Sequence, residues 1–209
     1  MSEIETFPSR EALYEAAASA LANALTGGIA ARAAASLALA GGSTPAPAYR
    51  LLSQAALDWS KVTVTLTDER KVAADHPDSN ERMLRQTLLV GPAAEARFAP
   101  LDEASVAGLV PFDAVLLGMG EDGHFASLFP GNSALAEGLS GSSLTIEAPA
   151  GEPAPPQARS SLTLKALSGA TTTLLVITGD AKRALLERAD GLPVAALIGA
   201  VHPRILWAD

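Results

Sequence analysis

The chain has 209 residues, of which 48% are hydrophobic, and a net charge of −8. This length suits a single α/β domain with a substantial core, which we expect to span residues 1–209. The charge argues against a general nucleic-acid-binding protein, and the lack of cysteine excludes disulfides, thiol nucleophiles and cysteine-ligated zinc. No run is long and apolar enough to cross a bilayer and no signal-peptide pattern opens the chain. We therefore expect a cytoplasmic protein that binds neither nucleic acid nor membrane.

The first predicted element is an amphipathic helix over residues 9–25. Its apolar positions recur at helical spacing, Ser9 suits the N-cap, and Gly27-Gly28 is expected to stop the helix. Residues 30–35 are ambiguous and could continue it. Residues 36–40 are short and apolar, as expected of a buried strand.

A glycine turn follows that strand, in the order Gly41, Gly42, Ser43, Thr44, Pro45. Backbone amides exposed by glycine, two hydroxyl groups and the start of a helix together favour an anion, so we predict a phosphate or sugar cradle here. The alternative is an ordinary loop in which Thr44 caps the helix and Pro45 is its first residue.

The next strand, residues 62–66, alternates valine or leucine with threonine and ends at Thr67-Asp68-Glu69-Arg70. Ligands gather beyond the carboxyl ends of strands in open α/β sheets, so Asp68 and Arg70 are candidate binding residues. The alternative is a solvated turn.

A helix through Leu88 is predicted to begin at a capping box formed by Asp78 and Glu81. This explains most of the polarity of the preceding residues. Asp75, His76 and Asp78 are too few ligands for a metal site without support from elsewhere, so we expect none.

The most informative stretch is residues 112–130, in which a short apolar strand, residues 114–117, meets Gly118, Gly120 and Gly123. Gly-x-Gly-x-x-Gly after a strand is the fingerprint of a dinucleotide site. Here, however, acidic residues lie where pyrophosphate would bind, and a proline at position 130 leaves no room for the long helix of that motif. A dinucleotide is therefore not favoured, and His124, two residues after Asp122, becomes the candidate for acid–base chemistry.

The last third of the chain contains two candidate binding cations, Arg159 and Lys182, close to predicted strands. Residues 144–147 suit a strand, and the loop at 149–156, with four prolines, is either a lid or a plain connection. Arg159 follows it. After a β-branched strand at residues 171–178, Lys182 lies in the first turn of a helix, where a cation opposes the helix dipole. That position hints at an anionic ligand, although a solvated side chain is the alternative for both cations.

The alternation of strands and helices predicts a mostly parallel, Rossmann-like sheet covered by helices on both faces, with a last strand at residues 205–207. The segment Gly-Met-Gly-Glu-Asp-Gly-His-x-Ala-Ser-Leu-Phe-Pro at 118–130 resembles the glucosamine-6-phosphate isomerase/6-phosphogluconolactonase family, and within it the lactonases. The same family has further segments that resemble residues 41–45, 68–80 and 155–163, and a lysine that matches Lys182. Ala73 and Phe125 depart from the usual proline and threonine.

This resemblance implies the fold of the lactonases and glucosamine-6-phosphate deaminases. It also implies hydrolysis of 6-phospho-D-glucono-1,5-lactone, a small-molecule sugar phosphate, without metal or other cofactor, and we expect a monomer. His124 would activate water and Asp122 would orient it. Arg70, Arg159 and Lys182 would bind the phosphate. Amides of residues 120–123, or of Gly42 and Ser43, would stabilise the oxyanion.

Two alternatives remain. The related deaminases resemble this chain around His124, but they carry glutamate at the position of Phe129 and tyrosine at that of Arg70. The other alternative, of a different class, is a sugar-phosphate-binding module that kept the cradle and lost the reaction.

Overall fold

In a computed structural model, which describes residues 3–151 and 155–209, the chain forms a seven-stranded parallel sheet in the strand order β1-β10-β9-β6-β2-β3-β5. Its strands are β1 Ile4–Thr6, β2 Ala35–Leu39, β3 Val62–Leu66, β5 Arg97–Phe98, β6 Ala114–Leu117, β9 Thr172–Thr178 and β10 Arg204–Ala208. A second, antiparallel sheet has the order β4-β8-β7, with β4 Asp68–Arg70, β7 Thr145–Ala148 and β8 Arg159–Leu162. The parallel sheet confirms the predicted fold class.

Helices cover both faces of the parallel sheet. They are α1 Arg10–Arg32, α2 Ala46–Leu52, α3 Asn80–Thr87, α4 Glu103–Ala107, α5 Leu135–Ser140, α6 Leu164–Leu167, α7 Asp180–Leu186 and α8 Pro193–Val201, with 3-10 turns at Trp59–Lys61 and Gly91–Glu95. Successive strand residues point to opposite faces, so Leu37 and Leu39 join the core beneath α1 to α3, whereas Ala38 joins the core beneath α6 and α8. Within the described ranges no helix is long and apolar enough to cross a membrane.

Helix α1 begins as predicted but ends later. The Ser9 hydroxyl accepts a hydrogen bond from the Ala12 amide, which confirms the N-cap. The stop at Gly27-Gly28 is wrong, because the helix continues to Arg32. Gly28 lies against the buried Asp113 carboxylate, which leaves no space for a Cβ, and the same carboxylate pairs with Arg32. This glycine therefore permits a close approach between elements.

The start of α3 also differs from its prediction. Ser79, and not Asp78, is the N-cap, and its hydroxyl accepts the amide of Arg82 at 3.2 Å. The amides of Asn80 and Glu81 donate to the carboxylate of Glu69 in β4. The Glu81 carboxylate pairs with Arg85 on the helix surface. The predicted capping box is wrong because a carboxylate from another element reaches these amides.

Helix α4 is tied to the second sheet by Glu103. Its carboxylate accepts the amides of Leu144 at 3.0 Å and Thr145 at 2.9 Å. These hydrogen bonds hold the pKa of the Glu103 carboxyl below its usual range.

Part of the proline-rich loop, residues 152–154, lies outside the described residues, so whether that loop is a lid stays a prediction. The single domain also stays a prediction.

Candidate active site

A cavity of about 290 Å³ opens where strands β2, β3, β6 and β9 reach their carboxyl ends. This edge of a parallel α/β sheet is where ligands are expected. Its lining includes residues 41–45, Asp68, Arg70, Asn80, residues 118–120, His124, Ala126, Arg159 and Lys182. Every predicted site residue except Asp122 and Gly123 thus lies on one cavity.

Asp122 does not line the cavity, but it contacts the histidine that does. The Asp122 Oδ1 lies 2.5 Å from His124 Nδ1 and also accepts the His124 amide at 3.1 Å. An imidazole that donates from Nδ1 to this carboxylate carries its lone pair on Nε2. The ring packs against Phe129, with 4.2 Å between centroids, so Asp122 and Phe129 together limit its orientation.

The glycines of this stretch form a tight turn around that pair. The Gly120 amide donates to the His124 carbonyl at 2.9 Å, and the Gly123 amide donates to the Gly120 carbonyl at 3.1 Å. Gly123 has a φ of 79°, and a Cβ on Gly120 would collide with the imidazole. Residues 118–134 contain no helix, so the dinucleotide fingerprint lacks the helix it needs.

The loop after β2 does not use its hydroxyls for capping. The N-cap of α2 is Pro45, without a side-chain hydrogen bond, so the alternative in which Thr44 caps this helix is wrong. In the described part of the chain, neither the Ser43 nor the Thr44 hydroxyl has a hydrogen-bond partner. Gly42 has a φ of 98°, which turns the loop over the cavity.

Two arginines from the second sheet face the cavity. The side chain of Arg159 is only 15% exposed, and its Nη1 lies 3.4 Å from the Asp68 carboxylate. Its guanidinium stacks over Phe129 at 5.4 Å. Burial lowers the pKa of Arg159 from its usual range, although nearby Asp68 opposes this shift, and an arginine remains charged. The solvated alternative for Arg159 is therefore wrong.

The cations that line the cavity, Arg70, Arg159 and Lys182, have polar atoms without a partner in the described ranges. The Nε atoms of Arg70 and Arg159 are buried without a hydrogen-bond partner among residues 3–151 and 155–209. Lys182, in the first turn of α7, has no ion-pair partner in these ranges either. Buried polar groups are normally hydrogen-bonded, so this cavity is suited to an anion that supplies acceptors.

Asp68 is buried, and it organises neighbouring groups. Its carboxylate accepts the Ser127 hydroxyl at 2.7 Å, in addition to its contact with Arg159. The Ser127 amide donates to Ser161 in β8 at 3.0 Å. The solvated-turn alternative for this segment is wrong, because Asp68 is buried and begins strand β4.

Asn80 and Ser127 are site residues that the sequence interpretation missed. Asn80 is buried and lines the cavity, and its Nδ2 donates to the Asp68 carbonyl at 2.7 Å. The sequence pattern accounts for its polarity by helix capping alone. Ser127 lies inside the segment at 118–130 and contacts Asp68 without lining the cavity itself, and its distance from Asp68 along the chain gives no hint of that contact.

His76 has a local role instead. Its Nδ1 accepts the Asp78 amide at 3.1 Å, and the ring is exposed. Across the described residues, no group of three His, Cys, Asp or Glu side chains is arranged to hold a metal ion.

The fold and the cavity define an α/β protein with a polar cavity suited to an anionic small molecule, lined by three cations and by a histidine that contacts a carboxylate. The chain belongs to the family described as glucosamine-6-phosphate isomerases/6-phosphogluconolactonase, whose sequence profile matches residues 8–207. The resemblance seen in the sequence is thereby confirmed.

Named relatives agree with this assignment. The 6-phosphogluconolactonase of Caulobacter vibrioides is 46% identical over 226 aligned positions, which cover 99% of this chain and 97% of that protein. That of Rhizobium meliloti is 42% identical, covering 97% of each. The crystal structure of a 6-phosphogluconolactonase from Shewanella baltica superposes with a TM-score of 0.92 at 32% identity, covering 100% of this chain and 98% of the other.

Proposed function

We propose that this protein is a 6-phosphogluconolactonase, which hydrolyses 6-phospho-D-glucono-1,5-lactone to 6-phospho-D-gluconate in the oxidative pentose phosphate pathway. The observation that carries the proposal is the Asp122–His124 pair, 2.5 Å apart, on a cavity lined by three cations. The names of the similar proteins support the same reaction.

In the first step, His124 acts as the general base. A water attacks the lactone carbonyl carbon while Nε2 takes its proton, and the carbonyl becomes a tetrahedral oxyanion. The oxyanion then collapses, the bond to the ring oxygen breaks, and His124 returns the proton to that oxygen as it leaves. Asp122 holds the ring and stabilises its charged form between the two steps.

The oxyanion is stabilised by the loop after β2. The amides of Gly120 and Gly123 already donate to carbonyls within their own turn. The amides of Gly42, Ser43, Glu121 and Asp122 make no backbone hydrogen bond in the described ranges. Of these residues only Gly42 and Ser43 line the cavity, so they are the donors that this geometry favours.

The phosphate is held by Arg70, Arg159 and Lys182, together with the hydroxyls of Ser43 and Thr44. Arginine presents a planar fork of donors that matches phosphate oxygens, and the buried position of Arg159 strengthens the attraction. The three cations give a local positive field in a protein whose net charge is −8.

No metal or other cofactor is needed by this mechanism, because a histidine base and fixed donors supply the chemistry. We further propose that the enzyme works in the cytoplasm, as a monomer, on a free small molecule. The negative net charge disfavours a nucleic-acid partner.

The test is lactone hydrolysis by the wild type and by His124→Ala. The lactone is generated in situ, its disappearance is followed, and spontaneous hydrolysis is subtracted. We expect His124→Ala to lower kcat by about a hundredfold or more with an unchanged circular dichroism spectrum. His202→Ala, an exposed histidine after α8, is the matched control and should keep the wild-type rate. An unchanged rate for His124→Ala would exclude it as the base.

The alternatives have their own outcomes. Folded protein that gives no acceleration would direct the assay to glucosamine 6-phosphate, although Phe129 packs on His124 and Arg159 where the deaminases carry a carboxylate. Binding of 6-phosphogluconate without turnover would instead indicate a non-catalytic sugar-phosphate module.

A further inference from the structure

The carboxylate of Glu69 makes four hydrogen bonds, although it does not line the cavity. Its Oε1 accepts the amides of Arg70 at 2.7 Å and Asn80 at 2.8 Å. Its Oε2 accepts the Ser79 hydroxyl at 2.9 Å and the Glu81 amide at 2.8 Å. One side chain therefore ties strand β4 to the first turn of α3.

This arrangement follows from the alternation of side chains along a strand. Asp68 and Arg70 lie on the face of β4 toward the cavity, so Glu69 between them points the other way, toward α3. A carboxylate at a helix N-terminus is favoured both by the unpaired amides and by the helix dipole.

The anchored turn contacts the phosphate-binding side of the site in two places. The Asn80 side chain donates to the Asp68 carbonyl and lies directly against Gly41, where a Cβ would collide with its carboxamide. The position of Asn80 thus limits where the loop at residues 41–44 can lie. The carbonyl of Asp78 accepts the Arg70 Nη1 at 2.5 Å, which orients that guanidinium.

We infer that Glu69 is a positioning residue for phosphate binding, acting through Arg70. Asn80 keeps its own hydrogen bond to the Asp68 carbonyl and so continues to support the loop at 41–44. This rests on the proposed function, in which Arg70 holds the substrate phosphate. Neither Asp122 nor His124 contacts Glu69, so the effect falls on binding and not on proton transfer. Loss of binding that is equal in ground and transition states raises KM and leaves kcat unchanged.

The test uses Glu69→Gln, which keeps the shape of the side chain but places an amide NH2 against backbone N–H donors. We expect KM for the lactone and Kd for 6-phosphogluconate, measured by calorimetry, to rise about tenfold, with kcat within about twofold of wild type. Glu81→Gln is the matched control, since it removes a carboxylate from the same helical turn, one that pairs only with Arg85 among the described residues. It should keep both constants.

Thermal unfolding of each variant separates positioning from stability. A lower melting temperature with wild-type KM and Kd would overturn the inference and leave Glu69 as a helix cap. A fall in kcat at constant KM would overturn it too. If Glu69→Gln does not fold, Glu69→Asp, too short to reach all four donors, is read in the same way.

The two proposals fail in different ways. If the wild type binds 6-phosphogluconate but does not hydrolyse the lactone, the proposed enzyme activity is wrong. The Kd ratio between Glu69→Gln and wild type then still decides the role of Glu69, because it does not depend on turnover.

Discussion

Gly120→Ala is expected to inactivate the enzyme by displacing its base. A Cβ at this position would lie 2.7 Å from Asp122 Oδ1 and closer still to the imidazole of His124. Ordinary contact between such atoms begins at about 3.5 Å, so Asp122 Oδ1 has to shift by about 0.8 Å and the imidazole by more than about 1 Å. The ring is 27% exposed and can swing outward, which breaks its 2.5 Å contact with Asp122.

The size of the effect follows from that displacement. A misplacement of about 1 Å in a catalytic group can reduce the rate about a hundredfold. The backbone itself tolerates alanine, because Gly120 is not in the left-handed region. The fold should therefore persist while kcat falls by about two orders of magnitude.

The assay is kcat for lactone hydrolysis at saturating substrate, alongside circular dichroism. Gly118→Ala is the matched control: this glycine lines the same cavity, is not left-handed, and has no atom within 4 Å of an added Cβ. Any steric effect of the Gly118 substitution on the substrate appears in KM. If Gly120→Ala keeps the kcat of Gly118→Ala, the claim that this glycine makes room for the imidazole is refuted.

Two further predictions concern stability. In α1, Gly28→Ala should destabilise the fold by about 1–3 kcal/mol because the added Cβ meets Asp113. Gly27→Ala, at an exposed position of the same helix, should stabilise the fold by about 0.5–1 kcal/mol. Urea denaturation measures both changes, and equal effects would contradict the packing argument. Glu103→Gln should lower the urea midpoint at pH 7. The pKa of Glu103 is depressed in the folded state, so its contribution is present above about pH 4.3 and is lost as pH falls through the folded value. A wild-type-to-variant difference that stays constant down to pH 3 would contradict this.

Elements that depend on local pattern were predictable from the sequence. The strands at residues 62–66 and 114–117 have the predicted bounds, and β9 agrees within one residue. The Ser9 cap is also local, because its hydrogen bond spans three residues. The Asp122–His124 contact could be suspected for the same reason, since two residues of a tight turn cannot lie far apart.

Errors occurred where a distant group replaced a local one. Gly28 appeared to end a helix, but Asp113, far along the chain, requires its small size. Asp78 and Glu81 have the spacing of a capping box, but the helix amides of residues 80 and 81 donate to the Glu69 carboxylate instead. Local spacing identifies groups able to form a hydrogen bond, and it cannot rank them against donors and acceptors delivered by another strand.

The sequence by itself therefore determined the parallel α/β class, the glycine turn that carries His124, and the cations available to an anionic ligand. Only the tertiary structure decided that Arg70 and Arg159 pair across neighbouring strands of the second sheet and face the same cavity as Lys182. Helical and strand periodicity act over a few residues, whereas this convergence depends on strand order and register, which bring together groups separated by up to 112 positions.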